Sequence, residues 1–579
     1  MLTNEQIKNI VIKTKILPEK EFEKLAKEAR GLEKRLEDYL VEKKVVTPQA
    51  LYESAAGYFK LPFMNLKGLT IRKDILFNIP EPIASTHEMI AFDGDSKTLK
   101  IATTNPGDLP IFEFIKKKTG LEPKIHITNP QSIKEGIKQY HKSLKAELGY
   151  LGASADPGEG AGPESEKDLK KLAEDLPVVR IIDTLLEYAI YQEASDIHIE
   201  PEEKDVIVRF RIDGILHNVM TLPKNTQSGI VARIKILSNL KVDEHRLPQD
   251  GRFKIATKEN KVSFRVSIIP AFDGEKVVMR LLNEKAQILN LEQLGFQPSS
   301  LEIVKRNIKK PHGMVLVTGP TGSGKTTTLY TILNILNTPQ VNISTVEDPV
   351  EYRMPKINQS QINPKIGFTF ASGLRSLLRQ DPDIIMVGEI RDQETAEIAV
   401  HAAMTGHLVL STLHTNDAPT TLPRLNEMVI PAFLIATTTN VIVAQRLVRK
   451  ICPNCIQSYN LDKNTVEELE EQMDVPTLLK TMESQKAIID SKGGLKSILF
   501  YHGKGCKKCS DTGYKGRIGI YETMEITEEL SSLILKKGNS SEIKKLAIEQ
   551  GMLTIIEDGF IKAKNGITTI EEIMRVTKE

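Results

Sequence analysis

Residues 315–336 read VLVTGPTGSGKTTTLYTILNIL. A short apolar run (Val315 to Thr318) meets a glycine-rich turn, and a helix-compatible stretch follows. The turn, Gly319 to Thr326, fits G-x-x-x-x-G-K-[ST], and strand before with helix after is the context that lifts the pattern above chance. The run Gly319, Pro320, Thr321, Gly322, Ser323, Gly324, Lys325, Thr326 and Thr327 would cradle phosphate oxygens, with backbone N–H groups at the positive end of a helix dipole. Lys325 would reach the β- and γ-phosphates, and the Thr326 hydroxyl would ligate Mg²⁺. The chain reads as a binder of a nucleoside triphosphate.

At 579 residues the chain is too long for one core, and roughly three to five domains are expected. Lys and Arg number 78 against 76 Asp and Glu, so no global basic excess asks for nucleic acid. No apolar run approaches the ~20 residues that span a bilayer. The start, MLTNEQIKNIVIKTK, lacks the uninterrupted apolar stretch of a secretory signal. A cytosolic location is expected, where thiols stay reduced.

The first ~140 residues are helix-rich by periodicity. They hold a faint repeat, with IKTKILPEKEFEKLAKEA from Ile12 laid on VEKKVVTPQALYESAAGY from Val41. Each copy reads as a helix, a turn near Pro18 or Pro48, and a second helix. Short strands and helices follow to about Lys138. The stretch GYLGASADPGEGAGPESEKDLKKLAED buries too little apolar surface to offset ordering entropy, so it reads as a linker that lets the N-terminal domain move. From Pro177 a helix leads into SDIHIEP, KDVIVRFRIDGIL, GRFKIAT, KVSFRVSII and EKVVMRLL, an α+β module of alternating strands. The phosphate loop then opens a module of alternating strands and helices, the pattern of a parallel sheet.

Three stretches after the loop place acids and histidines at strand ends. NISTVEDPVEY delivers Glu347 and Asp348 at the carboxyl end of a strand, where parallel-sheet sites lie. GLRSLLRQDPDIIMVGEIRD ends its strand at Glu389, placed to orient and deprotonate a water. TGHLVLSTLHTNDA has His407 before its strand and His414 after it, able to sense a γ-phosphate. Singly, such a carboxylate is more often a surface or capping group and such a histidine a structural one. In series along one sheet that begins with a phosphate loop, they read as a site.

GPTGSGKTT, TVEDPVE, LRQDPDIIMVGEIRD and STLHTNDA resemble the Walker A, Asp box, Walker B and His box of the type II secretion/type IV pilus ATPases. ASDIHIEP, RFRIDG, LPQDGR and GITTIEEIMRV match as well, so the resemblance runs from about Pro177 to Val576. It implies an α/β multidomain chain: a RecA-like P-loop ATPase core preceded by a PAS-like α+β domain and a helical N-terminal domain. It further implies a homo-hexameric ring that hydrolyses ATP with Mg²⁺, docks on an inner-membrane platform protein and moves pilin subunits. By the same resemblance Glu389 is the catalytic glutamate, Glu347 the acid near the attacking water, and His414 the γ-phosphate contact. Arg265 and Arg280 match arginines that reach the nucleotide from the preceding domain, and Arg375, Arg379 and Arg391 match arginines near the phosphates. Surface ion pairing is an equal reading for Arg375 and Arg391. Gly388 stands where Walker B usually has the aspartate behind Mg²⁺, a departure shared with the family, which leaves the metal mainly on Thr326, phosphates and water.

Cys452-x-x-Cys455 and Cys506-x-x-Cys509 offer four thiolates, the ligand set of a structural Zn²⁺ site, though the 50 residues between the pairs exceed the ~15–20 of a compact module. That Lys/Glu-rich stretch is expected to project as an insertion. A redox pair and metal-free thiols are the other readings, and neither pair opens a helix after a thioredoxin-like strand. Resemblance to assembly and secretion members, which carry a tetracysteine element and a long N-terminal domain, favours extension over retraction. Some of those N-terminal domains bind cyclic di-GMP through a motif that starts Arg-Leu-Gly. Here Arg35-Leu36 is followed by Glu37, which argues against that ligand and for a docking role.

The expected organisation is an N-terminal domain (1–145), a linker (146–175), a PAS-like domain (176–285), a RecA-like domain (286–450), a tetracysteine insert (451–520) and a helical C-terminal domain (521–579). The function read from all this is an ATPase of pilus assembly, peripheral on the cytoplasmic membrane. Type II secretion is the alternative, and a RecA-like DNA motor or a non-hydrolysing scaffold are rivals. Neutral charge with few aromatics speaks against the DNA motor, and two site glutamates against the scaffold.

Overall fold

The computed structural model describes residues 4–14, 16–31, 36–43, 45–148, 176–256, 261–283, 289–489, 493–509 and 512–578. They belong to two compact units, Met1–Asn283 and Glu284–Glu579.

In the first unit the repeat folds as two helix pairs, Asn4–Lys13 with Glu19–Gly31 and Leu36–Glu42 with Pro48–Phe59. Pro48 opens its helix, where a missing N–H costs nothing, and the Thr47 hydroxyl accepts the Ala50 N–H. Ile10, Phe22, Leu40 and Leu51 close a small core. Strands β1 (Met89–Gly94), β2 (Thr98–Thr103) and β3 (Glu122–Ile127) form a sheet in that order, the first pair antiparallel and the second parallel. Nearly all of the expected linker lies outside the described residues.

After it, the helix Leu176–Tyr191 precedes β4 (Asp196–Pro201), β5 (Asp205–Ile212), β6 (Ile215–Pro223), β7 (Gln249–Ala256), β8 (Lys261–Ala271) and β9 (Gly274–Asn283). These make one antiparallel sheet of order β6-β5-β4-β9-β8-β7, the expected PAS-like α+β layer. The freedom of movement read from the linker is corrected by the packing. Ile90, Phe112 and Phe114 of the earlier module share one apolar core with Leu185, Tyr188 and Phe210 of the later one. The rings of Phe114 and Tyr188 lie 5.0 Å apart, and Lys118 pairs with Glu187 at 3.0 Å. Buried area of this kind joins modules whatever the composition of the chain between them.

The second unit is built on β10 (Gly313–Thr318), β11 (Ile343–Glu347), β12 (Ile357–Gln361), β13 (Ile384–Val387), β14 (Leu408–Leu413) and β15 (Thr439–Ile451), with β16 (Ile456–Asn460), β17 (Leu499–Gly503) and β18 (Tyr514–Glu525) following. The main sheet runs β12-β11-β13-β14-β10-β15-β18, parallel throughout except for the antiparallel β18. This is the RecA-like core. Val315 and Val317 of β10 bury on one face and Met314 and Leu316 on the other, as a sheet covered on both sides requires. The carboxyl ends of β10, β11, β13 and β14 therefore meet along one edge.

The cysteine-bearing insert does not project as expected. Its Leu461, Val466, Leu478 and Phe500 pack with Phe560, Ile561 and Ile573 from the tail helices Ile555–Lys564 and Ile570–Thr577. The tail is pinned in turn by a buried pair, Lys562 Nζ at 2.5 Å from Asp558 Oδ2, which also accepts the Tyr521 N–H of β18 at 2.6 Å.

Candidate nucleotide site and metal centre

β10 ends at Thr318, and the chain turns through Gly319 with φ +141° into the helix Lys325–Leu336. The glycines are a steric requirement. A Cβ at Gly319 would lie 2.4 Å from the Gln445 carbonyl oxygen, and one at Gly324 would lie 2.9 Å from Gln445 Nε2. Gln445, buried on β15, braces the loop from behind. Its Nε2 donates to the Ser323 carbonyl at 2.5 Å, and its Oε1 accepts from Thr328 Oγ1 at 2.7 Å. Gln445 was not among the expected site residues. The signal for it was a polar residue inside the apolar run of β15. Lys325 Nζ donates to the Gly319 and Pro320 carbonyls at 2.8 and 3.1 Å. Burial lowers the Lys325 pKa, and the Glu389 charge works against that shift.

Glu347 ends β11 and is buried. Thr345 Oγ1 donates to it at 2.5 Å, Gln359 Nε2 at 3.2 Å, and the Tyr330 hydroxyl closes the cage. Burial raises its pKa, and those three donors oppose the shift. Tyr330 and Gln359 are further residues that motif reading did not name. Glu389 follows β13 with its side chain 12 % exposed. Arg391 Nη2 lies 2.7 Å from Glu389 Oε1, and His414 Nε2 lies 3.2 Å from Oε2. The structure thus brings Lys325, Glu389, Arg391 and His414 into one electrostatic group. Gly388 has a packing cause. A Cβ there would sit 3.3 Å from Val346 O and Glu347 Cα on the neighbouring strand, where an aspartate would crowd backbone.

The cradle a Cβ would fill and the exposed Thr326 at the start of the helix fit a triphosphate with Mg²⁺. Arg375 forms an exposed ion pair with Glu394, and Arg379 Nη1 donates to the Arg375 carbonyl at 2.9 Å. His407 Nδ1 lies 3.0 Å from the Ala402 carbonyl, a local structural contact.

In the first unit, strand register lines up Arg211, Asp196, Arg280, Arg265 and Arg252 across β5, β4, β9, β8 and β7. Asp196 is buried and accepts from Arg280 Nε at 2.9 Å. Glu275 on the same sheet is held by other cations, with Lys235 Nζ 2.8 Å and His245 Nδ1 2.6 Å from its oxygens. At the N-terminus Glu37 is buried and accepts the Tyr52 hydroxyl at 2.9 Å, while Arg35 lies outside the described residues.

The four cysteine sulfurs all lie within 4.8 Å of one another, with Cys452–Cys506 and Cys455–Cys509 at 3.8 Å and Cys506–Cys509 at 3.6 Å. These spacings match the edge of about 3.8 Å of a tetrahedron with Zn–S bonds of ~2.3 Å. They are far from the ~2.05 Å of a disulfide. The Cys506 and Gly513 N–H groups point at Cys509 Sγ, at 3.2 and 3.3 Å, as they would toward a thiolate. The donor set fits Zn²⁺. The cluster ties the end of β15 to the start of β18, where Cys452 N–H donates to the Gly513 carbonyl at 2.9 Å.

Comparison with known proteins places this geometry. Residues 171–575 match the family described as Type II/IV secretion system protein, and residues 59–147 match the MshEN domain. The Type IV pilus assembly ATPase PilB of Myxococcus xanthus is 40% identical over 572 residues, covering 98% of this chain and 97% of that protein. The Type II secretion system ATPase E of Vibrio cholerae is 44% identical over 417 residues, 72% of this chain and 78% of that protein. Among solved structures the Legionella pneumophila ATPase DotB is 22% identical with TM-score 0.49, covering 69% of this chain and 95% of that one. A phosphate loop on a RecA-like sheet, the acids at its strand ends and matches over most of the length agree: the chain belongs to the type II secretion/type IV pilus ATPase family.

Proposed function

We propose that this chain is the motor of type IV pilus assembly, a ring of six copies on the inner face of the cytoplasmic membrane that uses ATP to polymerise pilins. The observation that carries this reading over type II secretion is coverage. The pilus assembly relative aligns over 98% of the chain, so its N-terminal helix pairs are included, whereas the Vibrio cholerae relative aligns over 72%. Among the described residues no helix is long and apolar enough to cross a membrane, which fits a peripheral seat on a platform protein.

In the proposed chemistry the loop N–H groups and Lys325 would bind the β- and γ-phosphates, and Thr326 would help to hold Mg²⁺. The metal, when bound, neutralises charge on the phosphates. Glu389, steered by Arg391 and His414, orients the attacking water and takes its proton. Glu347, fixed by its three donors, is the acid near the attacking water. Arg265 and Arg280 stabilise the charge that develops on the transferred phosphoryl group. Zn²⁺ would be held by Cys452, Cys455, Cys506 and Cys509 in a structural role. The N-terminal helices serve docking and not cyclic di-GMP, since Glu37 is committed to Tyr52. Nucleic acid takes no part.

The test is cellular. A strain whose only copy carries Glu389→Gln should lose surface pili and keep type II export. Lost export with normal pili would move the reading to secretion.

A further inference from the structure

The segment that carries His414 is fastened to the strand that carries the phosphate loop by a chain of threonine hydroxyls. β10 and β14 pair residue by residue up to Thr318 opposite Leu413, and there the ladder ends. Beyond it the Thr318 side chain takes over. Thr318 Oγ1 accepts the Thr415 N–H at 2.9 Å and lies 2.6 Å from Thr415 Oγ1. Thr415 Oγ1 lies 2.7 Å from Thr421 Oγ1, and Thr318 and Thr421 are fully buried. Further along the same segment the Ala418 N–H donates to Oε1 of the buried Glu522 at 2.8 Å. His414 is therefore clamped between Leu413, the last ladder residue, and Thr415, and its Nε2 stands 3.2 Å from Glu389. Thr318 is bonded directly to Gly319, the first residue of the phosphate loop.

We infer that Thr318 and Thr415 are positioning residues that hold His414 against Glu389. This rests on the proposed role of His414 in hydrolysis. A valine at either site keeps the shape and removes the hydroxyl, and a serine keeps the hydroxyl.

The experiment measures turnover and ATP affinity of the full chain for Thr415→Val, Thr415→Ser, His414→Ala and the Thr415→Val/His414→Ala pair. Thr415→Val should lower kcat roughly tenfold while ATP affinity stays within about threefold. Thr415→Ser should restore most of the rate. In the double variant the valine should add nothing to the loss from His414→Ala, because the hydroxyl acts through the imidazole. Normal kcat in Thr415→Val, a serine variant as slow as the valine, or losses that add in the double variant would overturn the inference. A slow His414→Ala beside a normal Thr415→Val rejects this link alone, whereas normal turnover in His414→Ala overturns the role of His414 and the link together. If Thr415→Val does not fold, Thr318→Ser against Thr318→Ala makes the same comparison, with the rate kept by serine and lost in alanine. Equal rates in that pair would overturn the inference.

Discussion

In the proposed mechanism Glu389 and Lys325 divide the work at the phosphate loop. Lys325, whose Nζ rests on the Gly319 and Pro320 carbonyls of the loop, is the proposed phosphate contact, so Lys325→Ala should lose ATP binding. Glu389 follows a buried strand and pairs with Arg391 and His414. Glu389→Gln keeps the shape and removes the base, so ATP affinity should hold while hydrolysis falls by ~10²–10⁴. Isothermal titration beside a phosphate-release assay checks both. Normal release in Glu389→Gln would mean another group positions the water. The loop was legible in the sequence because its requirement is local: consecutive residues must leave room and point N–H groups one way. Gln445 and Asp196 were not legible as site residues. Gln445 meets Ser323 across 122 residues and Asp196 meets Arg280 across 84, and periodicity does not record which distant segments the fold brings together.

Elements show the same division. Alternating and buried strands were readable from apolar pattern, and so were the helix pairs around Pro18 and Pro48. What pattern missed was partnership: the N-terminal module shares a core with the PAS-like sheet, and the insert packs on the tail. β18 is likewise an antiparallel edge strand of the main sheet, so a boundary drawn at residue 520 falls inside it. Two predictions belong here. Cys506→Ser should lower bound zinc from about one per chain and loosen the insert in hydrogen exchange, with the ATPase core still folded. Purified reduced wild-type chain with no zinc by metal analysis would remove the metal. The second concerns the last helix. Glu572 is buried, which pushes its pKa up, but Arg575 and Arg449 more than offset this and hold it at about 2. A carboxyl depressed in the folded state stabilises above its ordinary range and loses that contribution as pH falls toward the folded value. Glu572→Gln should therefore cost ~1–3 kcal/mol at pH 7, and the gap to wild type should close between about pH 4.5 and 2. A gap that does not change with pH would mean the pair contributes shape and not charge.

For the whole molecule the proposal most open to test is that Arg265 and Arg280 take part in hydrolysis. Arg280 is held by Asp196, in a register row with Arg265 and Arg252, so the sheet presents an ordered line of cations. An arginine that touches transition-state charge contributes ~10³–10⁵ in rate, whereas one that only pairs with a carboxylate on its own sheet contributes at most slightly to stability. The deciding measurement is ATP turnover per chain in size-selected rings of Arg265→Ala and Arg280→Ala beside wild type, with nucleotide affinity measured on the same fractions. The account predicts affinity within a few-fold of wild type and turnover sharply reduced in both variants. Intact rings of both variants that turn over ATP at the wild-type rate would contradict it.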